Sequence, residues 1–344
     1  IHGASKIPHI NRRAIAAMLG LAEDRIHLYE GHVGGGFGVR GELYPEDVLV
    51  ALAALQLGRP IKWIEDRREH LIAANHSRDH TNHLRVAIDG DGRILGLDSE
   101  FWFDQGAYVR THAATLPDLS AALLPGPYRI AAYRARGRIR LTNKTPAGTY
   151  RAPGRYETTF VRERMIDAIA VRLGRPADAI RAVNFIDRSQ MPFARGVEAL
   201  GTDVVYDSGD YSLLLGRFHA HFRTSEIRAA CAARRAAGEC VGFGHAVFVE
   251  KSGLGPTDGV RISVDPTGAV EVVTGGSSLG QGFETAMAQS QSNRPIPRGA
   301  SRLALGGFSA FVLKAEKTRK IRPSTMAIWM PRWVFSRRRP KPAV

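Results

Sequence analysis

Two stretches of apolar alternation, each folded about a turn rich in Asp and Gly, do most to limit the architectures open to this 344-residue chain. From His83 to Phe103 the residues Leu95, Leu97, Phe101 and Phe103 alternate with Gly96, Asp98, Glu100 and Trp102, after a turn at Asp89-Gly-Asp-Gly92. Side chains on a strand repeat every two residues, so this is the pattern of a hairpin with one covered face. A second hairpin has the same design: Val260, Ile262 and Val264, then Asp265-Pro-Thr-Gly268, then Val270 and Val272. Helical periods lie before and between them. Asn11 to Leu19 reads as a short helix capped by Asn11 and stopped by Gly20. A strand around Ile26 to Tyr29 then leads into Val33-Gly-Gly-Gly-Phe-Gly38. Pro45 begins a further helix, with Glu46 and Asp47 at its positive end, an apolar face of Val48, Leu49, Leu52 and Leu55, and Gly58 and Pro60 beyond. Glu157 to Leu173 is a helix closed by Gly174 and Pro176, and Gln190 to Gly209 reads as a polar, irregular connection. Helices alternating with hairpins predict an α+β fold in two units.

Charge divides the chain unevenly. The net charge is +15, but Ser290 to Val344 hold 13 Lys and Arg against one acidic residue, Glu316, while the other residues hold 35 basic and 32 acidic. The nucleic-acid partner suggested by the total is therefore not expected of the body, which is nearly neutral. After Ser290 no helical or strand period continues, and the loss of agreement between pattern and punctuation suggests a change of reading frame or a fusion there. A non-catalytic chain whose basic tail binds anions is the alternative that follows. The longest nearly apolar stretch, Val48 to Leu57, is about half the roughly 20 residues of a membrane span, and the first residues hold no signal peptide. Cys231 and Cys240 lack the spacing of a cluster or zinc site and are expected as reduced thiols, in a cytoplasmic protein cut from something longer.

Three groupings could carry chemistry. The run Gly34-Gly-Gly-Phe-Gly38, between a strand and a helix, is an anion cradle or a tight turn; it lacks the Gly-Lys-Ser/Thr of a phosphate loop. Gly276-Ser277-Ser278-Leu279-Gly280 matches a nucleophile elbow between a strand and the helical Glu284 to Gln289, but no His or Asp follows Ser278, so a serine hydrolase is only a remote alternative. His76, His80 and His83 precede or enter a strand, where His83 points away from the other two, and no three-histidine metal site is expected.

Taken in order, Lys6-Ile-Pro-His9, Gly34-Gly-Gly-Phe-Gly38, Lys62-Trp-Ile-Glu-Asp-Arg67, Thr149-Tyr-Arg-Ala-Pro-Gly-Arg155 and Gly280-Gln-Gly282 resemble the molybdopterin-binding large subunits of the xanthine dehydrogenase, aldehyde oxidase and carbon monoxide dehydrogenase family, from about Ile1 to Gln289. The resemblance implies two molybdopterin-binding domains of mixed sheets and helices, residues 1–190 and 191–289, the second incomplete, and a tail, 290–344, outside the family. It implies molybdopterin cytosine dinucleotide with molybdenum, and oxidation of an aldehyde or N-heterocycle with oxygen from water. Gly35, Gly36, Phe37 and Gly38 match the loop packed on the cofactor, Tyr150 and Arg151 the active-site loop, and Gly280, Gln281 and Gly282 the turn whose glutamine bonds the pterin. Arg151 could instead pair with a core carboxylate. The pterin's sulfurs hold the metal, so no Cys or His cluster is expected, and an FAD-binding medium subunit and a 2Fe-2S small subunit would carry electrons. Two departures stand out: Lys6 replaces a glutamine, and Ala152 replaces the cysteine of the copper-containing members. The family's general-base glutamate has no match in this sequence, which predicts a loss of roughly 10²- to 10⁴-fold in the chemical step, hence a chain poorly stable and inactive by itself.

Overall fold

Proline opens the first helix. The computed structural model describes residues 1–31, 33–77, 79–250, 260–264, 266–267 and 270–286, with backbone alone for Val260, Ile262, Val264 and Val270. Helix α1 spans Pro8–Leu19, beginning earlier than the expected Asn11 cap because Pro8 has its φ fixed for a first turn. Asn11 lies buried inside it, donating to Ser5 Oγ at 3.1 Å. The strand expected around Ile26 does not form; a single bridge joins Tyr29 to His2. Helix α2 (Pro45–Leu57) follows the prediction, with Asp47 accepting from the Tyr44 amide at 2.9 Å and Gly58 closing it in the left-handed region. Its apolar face, however, stays exposed at Leu49, Leu52 and Leu55. The short α3 (Arg67–Ala73) starts from a reciprocal cap between Asp66 and Glu69.

The expected first hairpin is present as β1 (His80–Ile88) and β2 (Ile94–Asp104), antiparallel, with Asp89 accepting from the Asp91 and Arg93 amides in the turn. One phase differs from the alternation. The register shifts after Ala87, so Leu95 is left without a partner and exposed, while both Ile94 and Leu97 face the core. Helix α4 (Thr115–Leu123) crosses over to β3 (Ala132–Arg140), which pairs parallel to β2 and gives the order β1-β2-β3.

Helix α5 (Arg155–Leu173) and α6 (Ala177–Asn184) then pack over the sheet. The connection expected to be irregular is a second hairpin, β4 (Phe193–Ala199) and β5 (Thr202–Tyr206), with Leu200 and Gly201 both at positive φ, as the twist of a two-residue turn demands. Helices α7 (Tyr211–Phe222) and α8 (Thr224–Ala236) follow, then the expected pair β6 (Val260–Val264) and β7 (Val270–Thr274). Asp265 and Gly268 of its turn, and the tail 290–344, lie outside the described residues. The main core runs from Ile94 through Leu97, Ile166, Ile180 and Tyr206 to Leu215 and Val247, so both expected units contribute to it. A smaller cluster of Ile15, Ala16 and Ile26 sits under α1.

Candidate functional site

Backbone geometry draws the two glycine turns and the arginine loop into one place. Gly35, Phe37 and Gly38 all take positive φ, 111°, 50° and 100°. A Cβ on Gly38 would stand 2.9 Å from the Thr149 carbonyl oxygen, so only glycine permits this approach. The Arg151 amide donates to the Phe37 carbonyl at 2.7 Å, and its guanidinium carbon lies 6.0 Å from the centre of the Phe37 ring. Arg151 and Ala152 hold positive φ without being glycine, a strain on the order of 1–3 kcal/mol each that the surroundings must sustain. From the other side, a Cβ on Gly280 would meet Val33 O at 2.9 Å and Gly35 N at 3.1 Å, and one on Gly36 would meet Leu279. Phe37, Arg151 and Gly280, distant in sequence, are thus neighbours.

A buried carboxylate binds this junction together. Glu42, 2% exposed, accepts from the Thr149 amide at 2.9 Å, the Thr111 hydroxyl at 2.7 Å and the His112 amide at 3.1 Å. Burial pushes its carboxyl up, but the hydrogen bonds from His112, Thr149 and Thr111 outweigh it and hold the pKa at about 2. Next to it the Tyr44 hydroxyl meets Asn75, whose amide donates to the Thr149 carbonyl at 3.2 Å. Arg110 stacks on Tyr44, 4.3 Å from the ring centre; it is 7% exposed, and its Nε and Nη1 are buried without a hydrogen-bond partner. Two unpaired donors on a buried cation are what an anionic ligand would satisfy. Glu42, Asn75 and Arg110 were not singled out by the sequence, since each acts through partners far along the chain.

The remaining expected residues are placed as follows. Tyr150 is exposed beside Arg151. Gln281 folds back on its own turn, donating to Ser277 O at 2.8 Å and accepting from the Leu279 amide, and Gly282 takes φ 68° as a helical turn begins. Lys6 is exposed with its amide on Arg40 O, its side chain alongside Gly41. A cleft of about 510 Å³ runs beside the glycine loop, lined by His2, Tyr29, Gly34, Gly35 and Arg40 among others, and Gly34 faces open space. That volume lies within the usual range for ligand sites. The larger groove, about 920 Å³, lies between β1 and α5 and includes none of the residues named for the cofactor. His80 packs on Phe101 and Phe103 while His83 meets Trp102 on the other face, so the histidines do not converge. The expectation of no histidine cluster needs correction elsewhere: Asp178, His219 and His245 do gather, from three elements whose separation hid them. Cys231 and Cys240 are free, and among the described residues no helix is long and apolar enough to cross a membrane.

Comparison with known proteins bears on this geometry. Residues 1–185 match the molybdopterin cofactor-binding domain, and residues 217–294 match a second domain of the same description. The 6-hydroxypseudooxynicotine dehydrogenase complex subunit gamma of Paenarthrobacter nicotinovorans is 41% identical over 82% of this chain and 35% of its own length. The carbon monoxide dehydrogenase large chain of Hydrogenophaga pseudoflava is 33% identical over 83% of this chain and 37% of its own. The crystal structure of quinoline 2-oxidoreductase from Pseudomonas putida 86 superposes with a TM-score of 0.77 at 33% identity, over 84% of this chain and 38% of that one. The chain therefore spans little more than a third of the length of these relatives. On the strength of both domain matches and these identities, the chain belongs to the molybdopterin cofactor-binding family of the xanthine dehydrogenase and carbon monoxide dehydrogenase large subunits.

Proposed function

We propose that this chain supplies the cofactor-binding part of a molybdenum hydroxylase large subunit, divided near residue 190 into two cofactor domains and acting on an N-heterocycle. The observation that carries the reading is the contact of the Gly35–Gly38 loop with both Arg151 and Gly280, beside a buried Arg110 whose donors lack partners. Molybdopterin cytosine dinucleotide fits such a place: phosphates would take the amides of Gly35 and Gly36 and the cation of Arg110, and Arg151 and Gln281 would meet polar edges of the pterin. When bound, the cofactor supplies the two-electron chemistry; the protein binds and orients it. The names of the relatives, a 6-hydroxypseudooxynicotine dehydrogenase, a nicotine 6-hydroxylase and a quinoline oxidoreductase, support a nitrogen heterocycle over an aldehyde. Ala152 leaves no thiolate at the loop position where copper would be held. An FAD-binding subunit and a 2Fe-2S subunit would take up the electrons.

Glu42 is a poor candidate for a general base, because a carboxylate held at about 2 by its donors has little affinity for a proton at neutral pH. For the 344 residues by themselves we therefore expect cofactor binding without measurable turnover. The test is expression of the chain in a host that makes the cofactor, followed by measurement of molybdenum and released cytidine monophosphate. Wild type should carry both, and Arg151→Ala should lower occupancy roughly tenfold, the value of one charge-assisted contact. Folded wild type without molybdenum or nucleotide, or Arg151→Ala and Gly280→Val chains as full as wild type, would overturn the reading.

A further inference from the structure

Away from the cofactor loops, three ligand-type side chains from three separate elements meet: Asp178 of α6, His219 of α7 and His245 of the extended segment after α8, with donor atoms within 4.8 Å of one another. Each is oriented by its surroundings. His219 Nδ1 lies 2.7 Å from the Thr224 hydroxyl, which leaves Nε2 turned to Asp178 Oδ2 at 3.3 Å. A histidine whose second nitrogen is fixed in this way is the usual arrangement of a metal ligand. The His245 side chain is only 5% exposed, with its ring against Phe218 and Phe243. Its Nε2 sits 2.8 Å from Asp178 Oδ1, close enough for an ion pair but outside good hydrogen-bond geometry. The buried nitrogen is thus aimed at the carboxylate, where an ion shared by the two could take the place of the direct contact.

We propose that Asp178, His219 and His245 bind one divalent transition-metal ion, with zinc the best match. Two imidazoles and one carboxylate are a common three-ligand zinc set, and bonds of about 2.0–2.1 Å in a tetrahedron place donors roughly 3.3 Å apart, near the separations from Asp178 to each histidine. Arg228 Nη2 at 2.9 Å and Arg181 Nη1 at 3.2 Å also touch Asp178. They do not exhaust it, because a carboxylate offers about four lone-pair positions. Arg181 is further balanced by Glu163 at 2.9 Å and Asp167 at 3.5 Å, so the cluster is not a bare pair of cations facing the ion. Asp178 lies in the first matched domain and the two histidines in the second, so the ion would clip the two together.

The 344-residue chain, untagged, should be titrated with zinc by calorimetry and with cobalt by visible absorption. One equivalent should bind, cobalt should give tetrahedral d–d bands, and zinc should raise the unfolding temperature. His219→Ala and His245→Ala should each weaken binding at least about tenfold, the scale of losing an orienting or liganding group, and remove the thermal shift, while His76→Ala should behave as wild type. If His245→Ala does not fold, His219→Gln, at the more exposed ring, carries the test. No saturable zinc binding by wild type, or binding unchanged in the folded His219 variants, overturns the proposal and leaves the cluster as a set of ion pairs.

Discussion

A single carboxylate decides how firmly the arginine loop stands against the glycine loop. Glu42 is depressed from 4.5 to about 2 although burial alone would raise it, so its ionised form contributes stability above about pH 4.5 that is lost as pH falls through 2. Glu42→Gln keeps the shape but turns one oxygen into an NH2, which must face either the Thr149 amide now on Oε1 or the His112 amide and Thr111 hydroxyl now on Oε2. The expected cost is about 2–3 kcal/mol at pH 7, read as a lower midpoint in urea with an unchanged slope. A variant as stable as wild type would mean that Glu42 does not bind the junction together. His80 makes a complementary test in a different pH window. Burial against Phe101 and Phe103 lowers its pKa from 6.5 to about 4, so between those values the unfolded chain binds more protons than the folded one. Its neutral form therefore stabilises the fold fully above pH 6.5, and that contribution falls away as pH drops toward 4. His80→Leu should flatten the profile, narrowing the stability change between pH 7 and pH 4 by about 2 kcal/mol. Equal slopes for the two proteins would sink the idea.

At the scale of elements, the buried charges of α5 join it to the extended segment that follows α8. Glu163 accepts from Tyr128 at 2.9 Å, Arg162 Nε at 3.2 Å and Arg181 Nε at 2.9 Å, and all four side chains are nearly inaccessible. The same arginines donate onward to Val247 O at 2.8 Å and His245 O at 3.4 Å. Glu163→Gln would leave two guanidiniums buried without their shared counter-charge, with an expected cost of about 3–5 kcal/mol, and protease cutting within 240–250 should rise with it. Protection equal to wild type would show that this segment is held by other contacts. None of this was legible in the sequence, where Arg162 and Glu163 look like ordinary surface residues of an amphipathic helix. What was legible is local: the proline start and glycine stop of α2, the glycine stop of α5, and the turn chemistry of β1–β2. The β4–β5 hairpin was hidden because Arg195 interrupts the inward-facing set of Phe193, Val197 and Ala199, and its turn requires positive φ at Leu200, a residue that does not advertise it. Strand β3 does alternate, with Tyr133, Ala135, Gly137 and Ile139 on one face and Arg134, Arg136, Arg138 and Arg140 on the other, so its period was there to be read; its parallel pairing with the open edge of β2 was not, because that is a fact about distant residues. The glycine loop was readable for the opposite reason, since glycines needed for close approach appear as glycines in any reading.

The whole molecule combines a well-filled main core with an apolar surface on the side of α2 and α3. Helix α2 has no fully buried residue, and Leu49, Leu55 and Leu57 are each more than half exposed. Ile64, Leu71 and Ile72 continue the apolar character at 72%, 77% and 64% exposure, with Trp63 beside them. A helix apolar on nearly every side is normally covered, and an uncovered one attracts other apolar surfaces. The sequence located this helix, but of the expected face only Val48 turns toward the small core while Leu49, Leu52 and Leu55 stay exposed, because a period says which residues share a face and not what lies against it. Two consequences follow for the chain as an isolated species. It should bind a hydrophobic dye such as anilinonaphthalene sulfonate while retaining native far- and near-ultraviolet circular dichroism, which distinguishes an exposed native face from a loosened core. It should also self-associate with rising concentration, and because the driving force is apolar, added salt should strengthen the association where charge pairing would be weakened. Leu49→Lys with Leu55→Lys removes apolar area from positions that contribute nothing to the main core, so the double variant should be monomeric at concentrations where wild type is not, with its unfolding midpoint within about 0.5 kcal/mol per site of wild type. Association undiminished in that variant, by sedimentation across a concentration series, would place the sticky surface elsewhere, with the apolar groove between β1 and α5 next to be tested.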